Sequence, residues 1–428
     1  MPEGRAPVAI VGAGLAGLRC ALELQALGID SHLYEASDGV GGRARTDTVD
    51  GFRLDRGFQV LLTAYPEAQE TFDYEALDLG SFVPGARVRI KDSFAKFADP
   101  LRSPRSSPAS AISLVGNLKD KFRVARMWRD LVSTEPQEIV RRPEMSAISS
   151  LEQRGFTTGM IEDFFRPFFG GVFIDPGLET SSRLMEIFFR CFSTGDTSLP
   201  AGGMGALADQ LAARLPDGSI SFGKRVTAVK DDEVELDDGS RIEASAVVVA
   251  TEEGAAASLV GVPAPVGTRT TTCLYFDAPE KDIGGGWLIL SPASGRGPIN
   301  EVAFPSSVAS GYAPEGRSLV AVSVVGAETD RADLHQSVID QLGNWFGLTA
   351  VSGWRHLKTY RIEHALPVFR PGRQKPDGEP PLLESGVFIC GDHRETPSIQ
   401  GALVSGRKAA GAVSKALGAD RRAPAGRS

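Results

Sequence analysis

Residues 7–17 read PVAIVGAGLAG. The run at 7–11 is short, apolar and partly β-branched, which predicts a buried strand. Gly12, Gly14 and Gly17 follow with the spacing G-x-G-x-x-G. Leu15, Leu18, Ala21, Leu22, Leu24 and Leu27 then recur at helical spacing. Gly28 is a good stop for that helix. A second strand is predicted over 31–35, ending on Glu35.

Each glycine has a separate physical task. Gly12 permits a tight strand-to-helix turn, Gly14 lets the backbone approach a pyrophosphate, and Gly17 lets the helix pack closely on the strand. Leu15 and Ala16 open the helix, whose N-terminus offers unpaired N–H groups and the positive end of a dipole to phosphates. Glu35 falls about 20 residues past the glycines, where a carboxylate accepts from a ribose diol, with Ala36 beside it. An acidic residue there disfavours a 2′-phosphate. Strand, glycines, helix, second strand and acidic residue in this order predict a dinucleotide site.

The chain continues from Glu35 to Leu61 as EASDGVGGRARTDTVDGFRLDRGFQVL. Gly41 and Gly42 allow backbone close to a ligand. Arg43 could place a guanidinium on a pyrophosphate, and Arg45 stands two residues on. The alternation from Phe52 to Asp55 suggests a short strand, and Gly57 follows at a turn where a flat ring could lie on bare backbone. With these residues the chain resembles the FAD-dependent flavin amine oxidase superfamily, which includes protoporphyrinogen oxidase-like enzymes and the carotenoid (phytoene) desaturases. The residues that match are Gly12, Gly14, Gly17, Glu35, Gly41, Gly42, Arg43, Gly57, Phe58 and Gln59. The resemblance implies FAD as cofactor, a backbone contact from Val226 to adenine, and Thr251 at the end of a strand near the pyrophosphate.

The composition is that of a globular protein with two or three domains: 428 residues, 42% hydrophobic and 23% charged. The net charge of -8 has no long single-sign run and lacks the basic footprint of a nucleic-acid binder. Cys20, Cys191, Cys273 and Cys390 are far apart and form no zinc or redox spacing, so free thiols in a reducing, cytoplasmic setting are expected. The apolar N-terminus is broken by functional glycines and is not read as a signal peptide. No stretch is apolar and long enough to span a bilayer.

The middle of the chain has its own signals. Residues 85–100 read as a hairpin and 101–110 as a loop rich in Ser, Pro and Arg. Residues 110–192 are helical in pattern, with breaks expected at Pro136, Pro143, Gly155, Pro167 and Asp175. Phe164, Phe165, Phe168, Phe169, Phe173, Phe188, Phe189 and Phe192 crowd into this part. They could be a helical core, a lipophilic pocket, or a surface that collects a lipid from a membrane. Strands are expected at 219–222, 224–229, 233–236 (turning at Asp237-Asp238-Gly239) and 246–251. More β-rich stretches lie at 268–276, 286–291, 299–305 and 318–325, and an amphipathic helix at 329–346.

The chain returns to the cofactor unit at 386–392, a strand ending Gly391-Asp392. Asp392 could bond a ribityl hydroxyl or a pyrophosphate water. A helix starting at Ser398, Ile399 and Gln400 would aim its N-terminus at the pyrimidine side of a flavin, with Gly401, Ala402 and Gly406 in the pattern of the superfamily's ending. Amine oxidases usually place an aromatic in this segment. Here the run is Glu395-Thr-Pro-Ser-Ile-Gln400, closer to the desaturases, with Gln400 in place of their acid.

The expected fold is α/β: a Rossmann-type, glutathione reductase-like FAD-binding domain with an interleaved α+β substrate domain. The FAD-binding parts are 1–84, 199–265 and 385–417, the substrate parts 85–198 (helical) and 266–384 (β-rich), and 418–428 a disordered tail. Three functions compete. The first is removal of a hydride from a C–H bond of a lipophilic, isoprenoid-like substrate. The second is amine oxidation, which cavity aromatics from Trp287, Tyr312 or Tyr360 would support. The third is non-enzymatic carriage of prenylated partners, as in GDP-dissociation inhibitors of this fold. Oxygen or a quinone could accept the electrons, and membrane contact would be peripheral at most. No base is evident. His335, His356 and His364 are candidates, and His393 after Gly391-Asp392 is the first to test. Arg361 and Arg394 could also lie near the ring.

Overall fold

The computed structural model describes residues 6–98, 102, 115–262, 267–279, 284–293, 295, 297–373, 375 and 378–418. Val8–Val11 is the middle strand of a five-stranded sheet. Its neighbours are Ser31–Tyr34 on one side and Val247–Val249 on the other, flanked in turn by Ile220–Ser221 and Phe388–Ile389. All four pairings are parallel, with Ala9 facing both His32 and Val247. A strand covered on both faces must be apolar throughout, and all four residues of Val8–Val11 are buried. Three separate stretches of the chain supply this one sheet.

The helices Leu15–Ala26 and Ile399–Ala416 pack against one another on this sheet. Close contact needs a bare backbone: a Cβ on Gly406 would lie 2.2 Å from the Ala16 carbonyl oxygen. A second sheet has seven strands in the order Arg355–Pro367, Thr268–Pro279, Arg317–Val325, Glu301–Ala303, Leu288–Leu290, Gly85–Ile90, Ser93–Ala98. It is antiparallel except where Leu288–Leu290 meets Gly85–Ile90. The helical stretch 118–194 covers part of it.

Several expectations need correction. The 13-residue edge strand Arg355–Pro367 matches no expected element: only Pro367 is buried and the rest is half-buried or exposed, so burial imposes no apolar alternation on it. The helix expected at 329–346 begins at Leu334, after a 3-10 turn at Gly326–Asp330. Pro167 does not end the helix: residues 158–172 are helical without interruption, and the hydrogen-bond ladder widens to a π-helical turn at Ile161–Phe165 just before the proline. The loop at 101–110 and the tail at 418–428 lie outside the described residues, apart from Arg102 and Gly418.

One buried carboxylate ties the early and middle segments together. Asp55 accepts from the Thr46 hydroxyl at 2.6 Å, the Tyr312 hydroxyl at 2.7 Å and the Met204 amide at 2.9 Å. The turn that carries Gly57 is thereby fixed to the segment around Gly203. All four cysteines are free and buried, and no helix among the described residues is long and apolar enough to cross a membrane.

Candidate functional site

A cavity of 1160 Å³ runs from the glycine turn to the phenylalanine-rich helices. Single-ligand pockets occupy about 300–1,000 Å³, so this one is larger than the usual range. Its two halves differ in chemistry.

One half is bare backbone and helix ends. A Cβ on Gly14 would meet nothing within 4 Å, and one on Gly42 would meet only the Gly14 Cα at 3.6 Å. The two glycines lie side by side and present bare backbone to the cavity. The helix behind it, Leu15–Ala26, has no side-chain cap and no acidic residue in its first turn. Its N–H groups at Leu15 and Ala16 face the cavity wall ready for an anion. Glu35 is held on the same wall. One carboxylate oxygen accepts from the Ala13 amide at 2.8 Å, the other from the Ser37 amide at 2.8 Å and hydroxyl at 2.7 Å. The residues present fit an extended dinucleotide.

Arg43 lines the cavity and is tied to the last strand. It donates two bonds to Asp392, at 2.6 and 2.9 Å, and a third to the Ala365 carbonyl at 3.0 Å. This fork joins the Gly41-Gly42 loop to the last strand, and both charges line the cavity as a neutral pair. Gln59 donates to the Arg43 carbonyl at 2.8 Å and so braces the same loop. Gly57, at φ +91°, presents bare backbone beside Ile362. Gly12, Gly41, Phe58, Thr251, Gly391, Ser398, Ile399 and Ala402 also line this half.

Five of the expected cofactor or catalytic positions are not on the cavity wall: Gly17, Ala36, Val226, Gln400 and His393. Gly17 serves packing, since its Cβ would lie 2.1 Å from the Gly12 carbonyl oxygen. Val226 is buried in a separate three-stranded sheet opposite Leu236. The Gln400 side chain turns away to accept from the Glu67 amide at 3.0 Å. His393 packs its ring on Gly391 and faces a second cavity, as does Arg394. His335 and His356 meet edge to face and both touch Phe276, His364 bonds Thr268, and Arg361 pairs with Asp330. None of these four lines the main cavity.

Burial pushes the His393 imidazole down to about 4, with Asp392 opposing and Arg394, Arg43 and Arg373 adding to the shift. Its folded value is below its unfolded one, so its neutral form stabilises the fold above pH ~6.5, and this is lost as pH falls toward 4. The expected loss over that window is about 3 kcal/mol. His393→Leu should flatten the dependence. Urea midpoints at pH ~7 and ~4.5 for both proteins check it, and an unchanged slope in the variant would refute the assignment.

The other half of the cavity is walled by phenylalanine. Phe164, Phe168, Phe169, Phe188, Phe189 and Phe192 line it, while Phe165 and Phe173 stay in the core behind. Phe82 and Phe97 complete the wall, and Phe58, edge-on to Phe82, stands where the two halves meet. Phe122, on the helix Leu118–Ser133, also lines the cavity although 73% exposed, so it marks the mouth. Trp287, Tyr312 and Tyr360 are elsewhere: Trp287 lies under Arg87 and Lys96, Tyr312 bonds Asp55, and Tyr360 bonds Asp47.

Sequence reading missed one acidic residue here. Glu301 is buried on the central strand Glu301–Ala303 and lines the apolar half. Glu35, Glu252 and Asp392, the other described acids on the wall, belong to the cofactor half. Asn300 donates to the Glu301 carboxyl, and Ser323, its cross-strand neighbour, bonds it too. Burial pushes its pKa up, against those two hydrogen bonds. Gly171 makes the room, since a Cβ there would lie 2.7 Å from a Glu301 carboxyl oxygen. The available signal was a lone acid inside the apolar run Ile299-Asn-Glu-Val-Ala-Phe304.

The sequence profile of the flavin containing amine oxidoreductases matches residues 15–414. The chain is 31% identical over 218 residues to a carotenoid phi-ring synthase of Streptomyces griseus, a match that takes in 45% of this chain and only 40% of that protein. It is 24% identical over 439 residues to a coproporphyrinogen III oxidase of Propionibacterium freudenreichii, covering 83% and 81% of the two chains. Among solved structures, a putrescine oxidase variant superposes with a TM-score of 0.70 at 17% identity, over 96% of this chain and 99% of that one.

Proposed function

The chain belongs to the flavin containing amine oxidoreductase family, and from that premise we propose that it removes a hydride from a C–H bond of a lipophilic, isoprenoid-like substrate. FAD, when bound, supplies the two-electron acceptor for that hydride. The bare backbone at Gly14 and Gly42 and the helix start at Leu15 would hold its pyrophosphate, and Glu35 its ribose. Ser398, Ile399 and Ala402, at the start of the last helix, would lie beside the ring. The FAD-binding unit would comprise 1–84, 199–265 and 385–417, and the substrate unit 85–198 and 266–384.

The observation that carries the substrate class is the phenylalanine wall. It offers a long apolar body dispersion contacts and no hydrogen bonds, and it excludes water from the reacting carbon. Of the cage candidates, Trp287, Tyr312 and Tyr360 do not line the cavity, and the Tyr and Trp that do, Tyr65 and Trp128, stand among far more phenylalanines. The carotenoid in the Streptomyces relative's name is in keeping with this reading. Leaving a carbon–carbon double bond requires loss of a proton as well as the hydride. Glu301 would accept it, with its other contacts fixed by Asn300 and Ser323. Oxygen or a quinone would take the electrons afterwards.

The test is anaerobic titration of the yellow protein, followed by absorption. Isoprenoid polyenes should bleach it, and primary amines and polyamines should not. Bleaching by amines alone would overturn the substrate class and favour the amine reading. A colourless protein that takes up no FAD would overturn the enzyme reading and leave a carrier of prenylated partners.

A further inference from the structure

A second cavity, of 1010 Å³, lies beyond the C-terminal strand from the first. Helix Pro136–Arg141, the chain after Pro367, the turn Asp392–Arg394 and helix Ile399–Ala416 contribute to its wall. Six cations line it: Arg141, Arg370, Arg373, Lys375, Arg394 and Lys408. Only Glu253, Glu379 and Glu395 line it with the opposite charge. Each of those acids is already held, by Arg373, Arg394 and Lys408 respectively. Arg370 pairs with Glu179, which is not on this wall, and Lys375 lies 3.9 Å from the already paired Glu379. Arg141 has no ion pair among the described residues. This local excess of positive charge stands in a chain whose net charge is -8.

A second observation points to a ligand. His393 is 8% exposed, lines this cavity, and neither ring nitrogen has a hydrogen-bond partner among the described residues. The Arg394 Nε is likewise unpartnered. Buried polar groups are rarely left so. A neutral imidazole carries one donor and one acceptor, so it suits a ligand that has both an O–H and a bare oxygen. Cations around such a group select an anion. A hydrogen phosphate or a phosphate monoester offers both features, whereas chloride offers no donor.

We propose that this cavity binds a phosphoryl anion at His393, Arg141 and Lys408, separately from the cofactor cavity. Its position couples it to the first site. Asp392 holds Arg43 on the cofactor wall, the next residue, His393, faces the anion, and the His393 ring rests on Gly391 of the cofactor wall. An occupant would therefore shift the absorption of the bound flavin.

The experiment titrates the FAD-loaded protein by calorimetry with inorganic phosphate, pyrophosphate and ADP, at ionic strength balanced with chloride. Flavin absorption is followed in parallel, and its retention shows that ADP has not displaced the cofactor. Saturable 1:1 binding with a flavin shift is expected. It should weaken at least about tenfold in Arg141→Gln/Lys408→Gln and in His393→Leu. ADP binding more tightly than pyrophosphate assigns an organic phosphate, and the reverse assigns the free anion. No heat beyond the chloride control overturns the site, as does equal affinity in the Arg141→Gln/Lys408→Gln protein, whose changes lie on helix surfaces and spare the fold.

Discussion

Gly14→Val should give a folded protein that has lost its flavin. The Gly14 backbone is at φ -75°, an ordinary value for any residue, and a Cβ there meets no protein atom within 4 Å. The new side chain therefore strains nothing. It fills the open space in front of Gly14 and blocks the helix start at Leu15 and Ala16. FAD affinity should fall at least about a hundredfold, or about 2.7 kcal/mol. The melting temperature of the apoprotein should stay within a few degrees of the unsubstituted apoprotein. Gly17→Ala is the contrast, because its Cβ would be driven into the Gly12 carbonyl and should destabilise apoprotein and loaded protein alike. Flavin-to-protein absorbance ratios and apoprotein melting separate the two. Full flavin content in Gly14→Val would mean that the pyrophosphate lies elsewhere.

Glu301→Gln should lower kcat by about 10²–10³ while flavin content is unchanged, as expected when a positioned proton acceptor is removed. The amide keeps the size of the carboxyl and its contacts with Asn300 and Ser323, so packing is conserved. The sign of the pH dependence follows from the raised pKa. Only the ionised carboxylate accepts a proton, so kcat/KM should rise with pH as Glu301 ionises, and the variant should lack that limb. A variant within about threefold of the parent at every pH would make Glu301 a packing residue only.

The local units were legible because each carries its own physics. Val8–Val11, the glycine turn, the helix and Glu35 are contiguous, and steric need fixes each residue type. The hairpin over 85–100 and the pair around Gly239 were legible for the same reason, through alternation and a turn residue. The edge strand Arg355–Pro367 was not, because an edge that buries little imposes no alternation. Among the phenylalanines, helical spacing marked all eight as apolar. It did not separate Phe168 and Phe192 on the cavity wall from Phe165 and Phe173 in the core.

By itself, then, the sequence determined a strand, a glycine turn and the helix after it, and through its resemblance the family and FAD as cofactor. The turn follows from contacts between near neighbours. Tertiary structure alone decided which distant groups meet. Arg43 reaches Asp392 across 349 positions, a pairing that no local pattern announces. His393 follows Asp392 directly yet faces another cavity, because successive side chains in a tight turn point to different sides. Glu301 became a candidate only when Ser323 and Gly171 closed around it. A carboxyl's chemistry is set by what desolvates it and what bonds it, and both come from parts of the chain far away in sequence.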